Sequence, residues 1–309
     1  MADLKSCWFV VDLPALLKLR LSSREASVSA AVVRLISGLA DKYGFGRTIV
    51  CGDCPSGQSF RKELLPGYRA KDLVRDEYTY QVMSAIELCR AAGLEYLHCS
   101  RHCAGDAIAS VVAMNPEKTV IGSNRVLCRE LLVDGRVTIL TRMSDVSPEW
   151  ITASSLADPV HQLGVRPDQV VDYFCLVGSG EDCVPGAKGI GTKRAVELLA
   201  SHGSVPAVLA DIASFKGAVR AGLEAFAPRY ETLRQVWTLR SDAIDKAHAW
   251  QCQMEGDGDE RSLVCRCPRH CEDPLVYSKL PGETTDRIVA WVASVIARSG
   301  WFDPERDSL

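Results

Sequence analysis

The run Gly186-Ala-Lys-Gly-Ile-Gly-Thr-Lys193 places three glycines and two lysines immediately before a helical pattern. Lacking a Cβ, glycine takes positive φ and lets an anion come close to the backbone amides. A helix beginning near Thr192 would aim its free N–H groups at the same point, with Lys193 adding positive charge. Gly186, Gly189, Gly191, Thr192 and Lys193 therefore read as a helix-hairpin-helix that grips a DNA phosphate backbone and leaves the bases unread. An ordinary Gly-rich helix connection is the plainer alternative. Other residue clusters suggest metal chemistry. Cys252, Cys265, Cys267 and Cys271, with His248 and His270 nearby, are soft ligands suited to Zn²⁺, but Cys-x-Cys-x₃-Cys lacks the paired knuckles of a zinc motif, and packed core thiols compete with that reading. His98, Cys99, His102 and Cys103 form a second cluster, either a soft-metal site or space-filling side chains. Cys51-Gly-Asp-Cys54 has redox spacing but ends a strand rather than opening a helix, and Ser179 has no recognisable His/Asp set.

These residues need a scaffold. Trp8-Phe-Val-Val-Asp12 is a short apolar run ending in an acid, as in a buried parallel strand that delivers Asp12 to the edge where ligands collect. Val28, Val32, Leu35 and Leu39 share one face of a helix over 27–43, and a second strand follows over 47–51. Residues 55–80 are polar, basic and interrupted by Pro66-Gly67, which predicts an arch or mobile loop. Helices over 80–92 and 106–114 alternate with strands over 94–98, 119–122 and 136–140. The pattern predicts an α/β fold with a doubly wound, mostly parallel sheet. From Asp168 the chain turns helical, with helices over 169–176, 193–201, 205–212 and 215–235. Three segments result: an α/β core with its arch over 1–160, a helical DNA-binding region over 161–245, and a Cys-containing extension over 246–309.

Several of these stretches, in the same order, resemble the 5′-nuclease family of flap endonucleases and polymerase-associated 5′-3′ exonucleases. Phe9-Val-Val-Asp12 and Thr48-Ile-Val-Cys-Gly-Asp53 resemble its first two strands, each ending in a metal-binding acid. Phe60-Arg61 and Tyr68-Arg-Ala-Lys71 resemble the basic run into its helical arch. Gly164 to Tyr173 resembles the lead-in to the hairpin, 176–199 its helix-three-turn-helix, and Leu239-Arg-Ser-Asp242 the closing stretch. The resemblance covers roughly 8 to 245. It implies that Arg61, Tyr68, Arg69 and Lys71 contact DNA, and that the partner is DNA with a 5′ flap, nick or branch, in the company of a replication or repair protein.

The departures from the family fall on its carboxylates. Its Glu-Ala-Asp-Asp run aligns with Cys103-Ala104-Gly105-Asp106, its Asp-x-Asp with Asn124-Arg125-Val126, and its hairpin aspartates with Ser179 and Asp182. Asp12, Asp53, Asp106 and Asp182 remain, a residual Mg²⁺ or Mn²⁺ site. Two-metal phosphodiester cleavage needs enough oxygen ligands to offset two divalent charges, and Arg125 beside the pocket would compete with a cation. The expectation is a DNA-binding relative with nuclease activity lost or strongly weakened. Two alternatives stand beside it: an active enzyme using those four acids or borrowing Glu130, Glu181 or Asp72, and a protein-interaction platform.

The chain of 309 residues, 47% hydrophobic, can bury a full core without staples. Its net charge of −3 excludes a broadly basic nucleic-acid protein, so binding must rely on local patches. An odd count of 13 cysteines, charges directly before the first strand and no apolar run of membrane-spanning length point to a reducing cytoplasmic or nucleoid-like compartment, with no membrane partner.

Overall fold

The computed structural model describes residues 4–20, 27–54, 59–70, 76–99, 101–143, 148–158 and 162–244, and three later strands. The first half alternates strand and helix: β1 (Trp8–Asp12), α1 (Leu13–Arg20), α2 (Val28–Tyr43), β2 (Arg47–Gly52), α3 (Phe60–Leu64), α4 (Asp76–Ala91), β3 (Glu95–His98), α5 (Ala104–Met114), β4 (Thr119–Gly122), β5 (Val137–Arg142), β6 (Glu149–Ile151) and α6 (Ala153–Leu156). The sheet order is β3-β2-β1-β4-β5-β6. All neighbours are parallel except β6, which runs antiparallel to β5 along the edge and was not expected. β1 has β2 on one side and β4 on the other, so the winding direction reverses between β1 and β4, the place where ligands collect at the C-terminal ends of such sheets.

Both faces of the sheet are covered, which explains the nearly continuous apolar runs in its strands. Phe9, Val11, Val50, Val120 and Leu140 pack with Leu13 and Leu17 of α1, Val32, Ile36 and Leu39 of α2, and Leu88 of α4. The alternate residues Val10, Ile49, Ile121 and Ile139 face Ala107, Ile108 and Val111 of α5 and the helical second half. α2 starts at its Ser27 cap and stops at Gly44, which takes the left-handed conformation.

The second half contains α7 (Val170–Val177), a two-stranded hairpin of β7 (Gly178–Ser179) and β8 (Val184–Pro185), α8 (Thr192–His202), α9 (Val205–Ala210), α10 (Gly217–Phe226) and α11 (Tyr230–Trp237). The single helix expected over 215–235 is in fact two. Pro228 lies in the short 3₁₀ turn Ala227–Arg229 between them, having no N–H to continue the α-helical ladder. Asp172 braces this region: its carboxylate accepts the Val205 N–H at 2.8 Å and the Tyr230 hydroxyl at 2.7 Å. Beyond it, β9 (Gln251–Glu255), β10 (Ser262–Arg266) and β11 (Leu275–Tyr277) form an antiparallel sheet with Cys252 opposite Cys265 in register. Cys267 and Cys271, and Lys71 of the basic run, lie outside the described residues.

Candidate nucleic-acid interface and its acidic pocket

Of the three glycines expected to shape the turn before α8, only Gly189 takes the left-handed conformation. Gly189 has φ +81° and open space around it, as a tight exposed turn requires. Gly191 has φ −92° and caps α8, where no side chain engages the first-turn N–H groups. Gly186 serves close packing instead: a Cβ there would lie 2.3 Å from the Leu176 carbonyl oxygen. Lys188, Thr192, Lys193 and Arg194 are exposed around the turn. Behind it, α10 comes so near that a Cβ on Gly222 would sit 2.1 Å from the Lys188 carbonyl oxygen, fixing the loop's position.

Asp12 and Asp53 lie at the C-terminal edge of the sheet, Asp106 in the first turn of α5 and Asp182 on the β7–β8 hairpin, and each is paired with an arginine. Asp12 ends β1, fully buried. Its carboxylate accepts the Ala15 N–H at 3.1 Å, the Ser123 hydroxyl at 2.9 Å and Arg125 Nε at 3.0 Å. Asp53, just past β2, accepts the Ala104 N–H of α5 at 2.8 Å and lies 3.6 Å from Arg69 Nη1. Arg69 Nε donates to Asp182 at 2.9 Å, and the Arg69 N–H donates to the Asp182 carbonyl at 2.7 Å. Asp182 also accepts the Ser179 hydroxyl at 2.9 Å.

Asp106 is saturated. Arg61 grips it with two parallel bonds of 2.6 and 2.8 Å, and the N–H groups of Cys103 and Arg240 fill its remaining acceptor positions at 3.0 and 2.8 Å. Both partners are sealed, Arg61 at 1% and Asp106 at 0% exposure. Arg61 also donates to the carbonyls of Val236 and Thr238, tying α3, α5 and the end of α11 together.

Burial alone would raise the carboxyls of Asp53, Asp106 and Asp182, but their partners win. Arg69, Arg125 and the Ala104 N–H hold Asp53 below its ordinary value. Arg61 and two backbone N–H groups do the same for Asp106, and Arg69, Ser179 and Arg125 for Asp182. The surrounding thiols go the other way. Burial, then Asp106, pushes Cys103 up to about 11, and burial, followed by Asp106 and Cys103, lifts Cys99 to about 12, so neither supplies a thiolate near neutral pH.

Two expectations are corrected here. Arg61 and Tyr68 do not present themselves to DNA: both are buried, and Arg61 is committed to Asp106. Arg69 is turned inward to Asp182 and Asp53, so the basic run is largely an internal counter-charge rather than an open cationic arch. Nor do Asp12, Asp53, Asp106 and Asp182 form a joint ligand set. Among the described residues no group of three or more His, Cys, Asp or Glu is arranged to hold a metal ion, and this includes the His98–Cys103 cluster. Glu130, a substitute ligand in the active-enzyme alternative, accepts the Leu239 N–H at 2.8 Å, and burial pushes its carboxyl up to about 8. Glu181 is exposed, and Asp72 lies outside the described residues. Sequence reasoning missed Ser123, which sits between Asp12 and the Arg125 N–H, and Tyr78 of α4, whose phenol is pushed up by burial and by the charges of Asp53 and Asp12.

Comparison with known proteins bears on this arrangement. Residues 165–258 match the family described as 5′-3′ exonuclease, C-terminal SAM fold. Over 204 residues the chain is 27% identical to the flap endonuclease Xni of Edwardsiella ictaluri, covering 64% of this chain and 78% of Xni. It is 30% identical over 194 residues to the thermostable DNA polymerase I of Thermus aquaticus, covering 60% of this chain but only 22% of the polymerase. These matches relate the chain to flap endonucleases and to polymerase-associated 5′-3′ exonucleases. Its fold matches the T5 5′-exonuclease solved with bound zinc ions, with a TM-score of 0.67 at 21% identity over 77% of this chain and 91% of that one. It also matches a T5 flap endonuclease in a pseudo-enzyme–product complex with DNA and metal ions, with a TM-score of 0.63 at 21% identity over 78% and 94%.

Divalent metals thus belong to this 5′-nuclease fold elsewhere, but the residues here do not fit them. Four carboxylates carry −4 and the three arginines that engage them +3, leaving −1 where two divalent ions would bring +4. Guanidinium nitrogens only donate, so Arg69 and Arg125 offer a cation nothing and repel it.

Proposed function

We propose that this 5′-nuclease relative binds DNA carrying a 5′ flap, nick or branch through the turn between α7 and α8, and does not cleave it by a two-metal route. The pairing of all four aspartates with arginines carries the reading. The exposed Lys188 and Lys193, the uncapped N-terminus of α8 and the left-handed Gly189 support phosphate-backbone contact. In this reading residues 1–160 are a scaffold, 161–245 hold the DNA, and 246–309 form an extension available to a replication or repair partner. The test runs 5′-flap cleavage in Mg²⁺ and Mn²⁺ beside flap binding over a salt series. Salt-sensitive binding without cleavage is expected. Robust Mg²⁺-dependent cleavage that disappears in Asp12→Ala would establish an enzyme instead, and neither binding nor cleavage would leave the interaction platform.

A further inference from the structure

Asp12, Asp53 and Asp182 come from three separate places, the ends of β1 and β2 and the β7–β8 turn, and their mutual repulsion must be offset for the pocket to close. Two guanidiniums do this in a built geometry. Ser123 accepts the Arg125 N–H at 3.0 Å while donating to Asp12 at 2.9 Å, so the turn after β4 is shaped to bring Arg125 back onto Asp12. From there its charge also reaches Asp53 and Asp182. Arg69 adopts a left-handed backbone, φ +50°, and holds Asp182 with both its main chain and its side chain while facing Asp53. The side chains are mostly shielded, at 12% exposure for Arg69 and 18% for Arg125, so water screens them weakly.

We propose that Arg69 and Arg125 are tethered cations that take the place of divalent ions, assembling the pocket without metal and barring a free cation from it. The three carboxylates and two guanidiniums sum to −1, enough to keep the arginines in place and too little to hold a second charge carrier. This rests on the reading of the pocket as unable to support two-metal cleavage, and it adds a cause: the barrier is the two side chains rather than the missing acids alone.

The experiment measures metal binding, not cleavage. The full chain and an Arg69→Gln/Arg125→Gln variant are titrated with Mn²⁺ by electron paramagnetic resonance and melted in Mn²⁺ or EDTA. The unsubstituted chain should bind Mn²⁺ more weakly than about 10 mM and melt within about 2 °C in both. The variant should bind at least tenfold tighter and gain about 5 °C in about 10 mM Mn²⁺, a gain abolished by adding Asp12→Asn. Saturable micromolar Mn²⁺ binding by the unsubstituted chain, or a folded variant that binds no better, overturns the proposal. Should the double variant fail to fold even in Mn²⁺, Arg125→Gln alone must show the same gain, and its failure overturns the proposal equally. Flap cleavage by the unsubstituted chain would sink the proposed function without deciding whether the arginines exclude metal, so the two failures are distinguishable.

Discussion

Replacing Arg61 with Met strips the guanidinium from Asp106 and leaves the carboxylate sealed in the core. The pair is fully buried, so breaking it from one side should cost about 3–5 kcal/mol, against 1 kcal/mol or less for an exposed pair. For a chain of this size that corresponds to a drop in melting temperature of about 10 °C. Asp106 would keep its bonds to the N–H groups of Cys103 and Arg240 but lose the positive charge that holds it below the ordinary carboxylate range, so burial would raise it. A raised acid binds protons in the folded state, and the penalty should therefore shrink as pH falls from 8 towards 5. Arg61→Met with Asp106→Leu should recover only part of the loss, because four backbone groups at Cys103, Val236, Thr238 and Arg240 then lose partners at about 1 kcal/mol each. Urea unfolding at several pH values reads all of this. A loss below about 1 kcal/mol in Arg61→Met, or one independent of pH, would refute the assignment of Arg61 to a buried structural charge pair.

Lys193→Glu should weaken flap and duplex binding together and flatten the salt dependence, as removing a phosphate contact does; unchanged affinity and slope in the folded variant would take the turn out of binding. Gly222→Ala should destabilise by about 1–3 kcal/mol and lower DNA affinity, because its methyl would displace the Lys188 carbonyl; thermal melts and fluorescence anisotropy report the two effects. Asp53 and Asp182 are held below their ordinary values, so their pairing contributes stability that is present above the unfolded carboxylate value, about 3.9, and lost as pH falls through the folded values. Arg69→Gln should flatten that acid limb of the stability curve, and an unaltered limb would mean that Arg69 is not the group depressing them.

The sheet was legible because its evidence is local. An apolar run ending in an acid predicts a central strand, and Asp12 does end β1. Of the three turn glycines only Gly189 was legible in this way, since Gly186 serves close packing and Gly191 caps α8 without a positive φ. The arginines show where local reading stops. In sequence, Arg61 and Arg69 look like exposed charges in a basic run, and only the fold brings Arg61 to Asp106 and Val236, 45 and 175 positions away. Arg125 was placed beside the pocket through its neighbours, but its partner Asp12 is 113 positions distant. Short-range pattern could not reveal that each acid had acquired a guanidinium, nor that β6 would close the sheet as an antiparallel edge with three residues.

The segment from Val236 to Ala243 is laced to the first half of the chain at both ends. Arg61 holds the Val236 and Thr238 carbonyls, Glu130 the Leu239 N–H, Asp106 the Arg240 N–H, and Ser110 the Arg240 carbonyl and the Ala243 N–H. During synthesis, then, the α/β half can fold its sheet early but cannot satisfy the charge pair at its centre until residue 240 has left the ribosome. Contacts this distant in sequence form late, because a long loop must close before they reward it. A nascent chain stalled short of that point would carry Arg61 and Asp106 with their remaining partners missing. Helix α11 and its exit strap thus set when, during translation, the α/β half becomes complete.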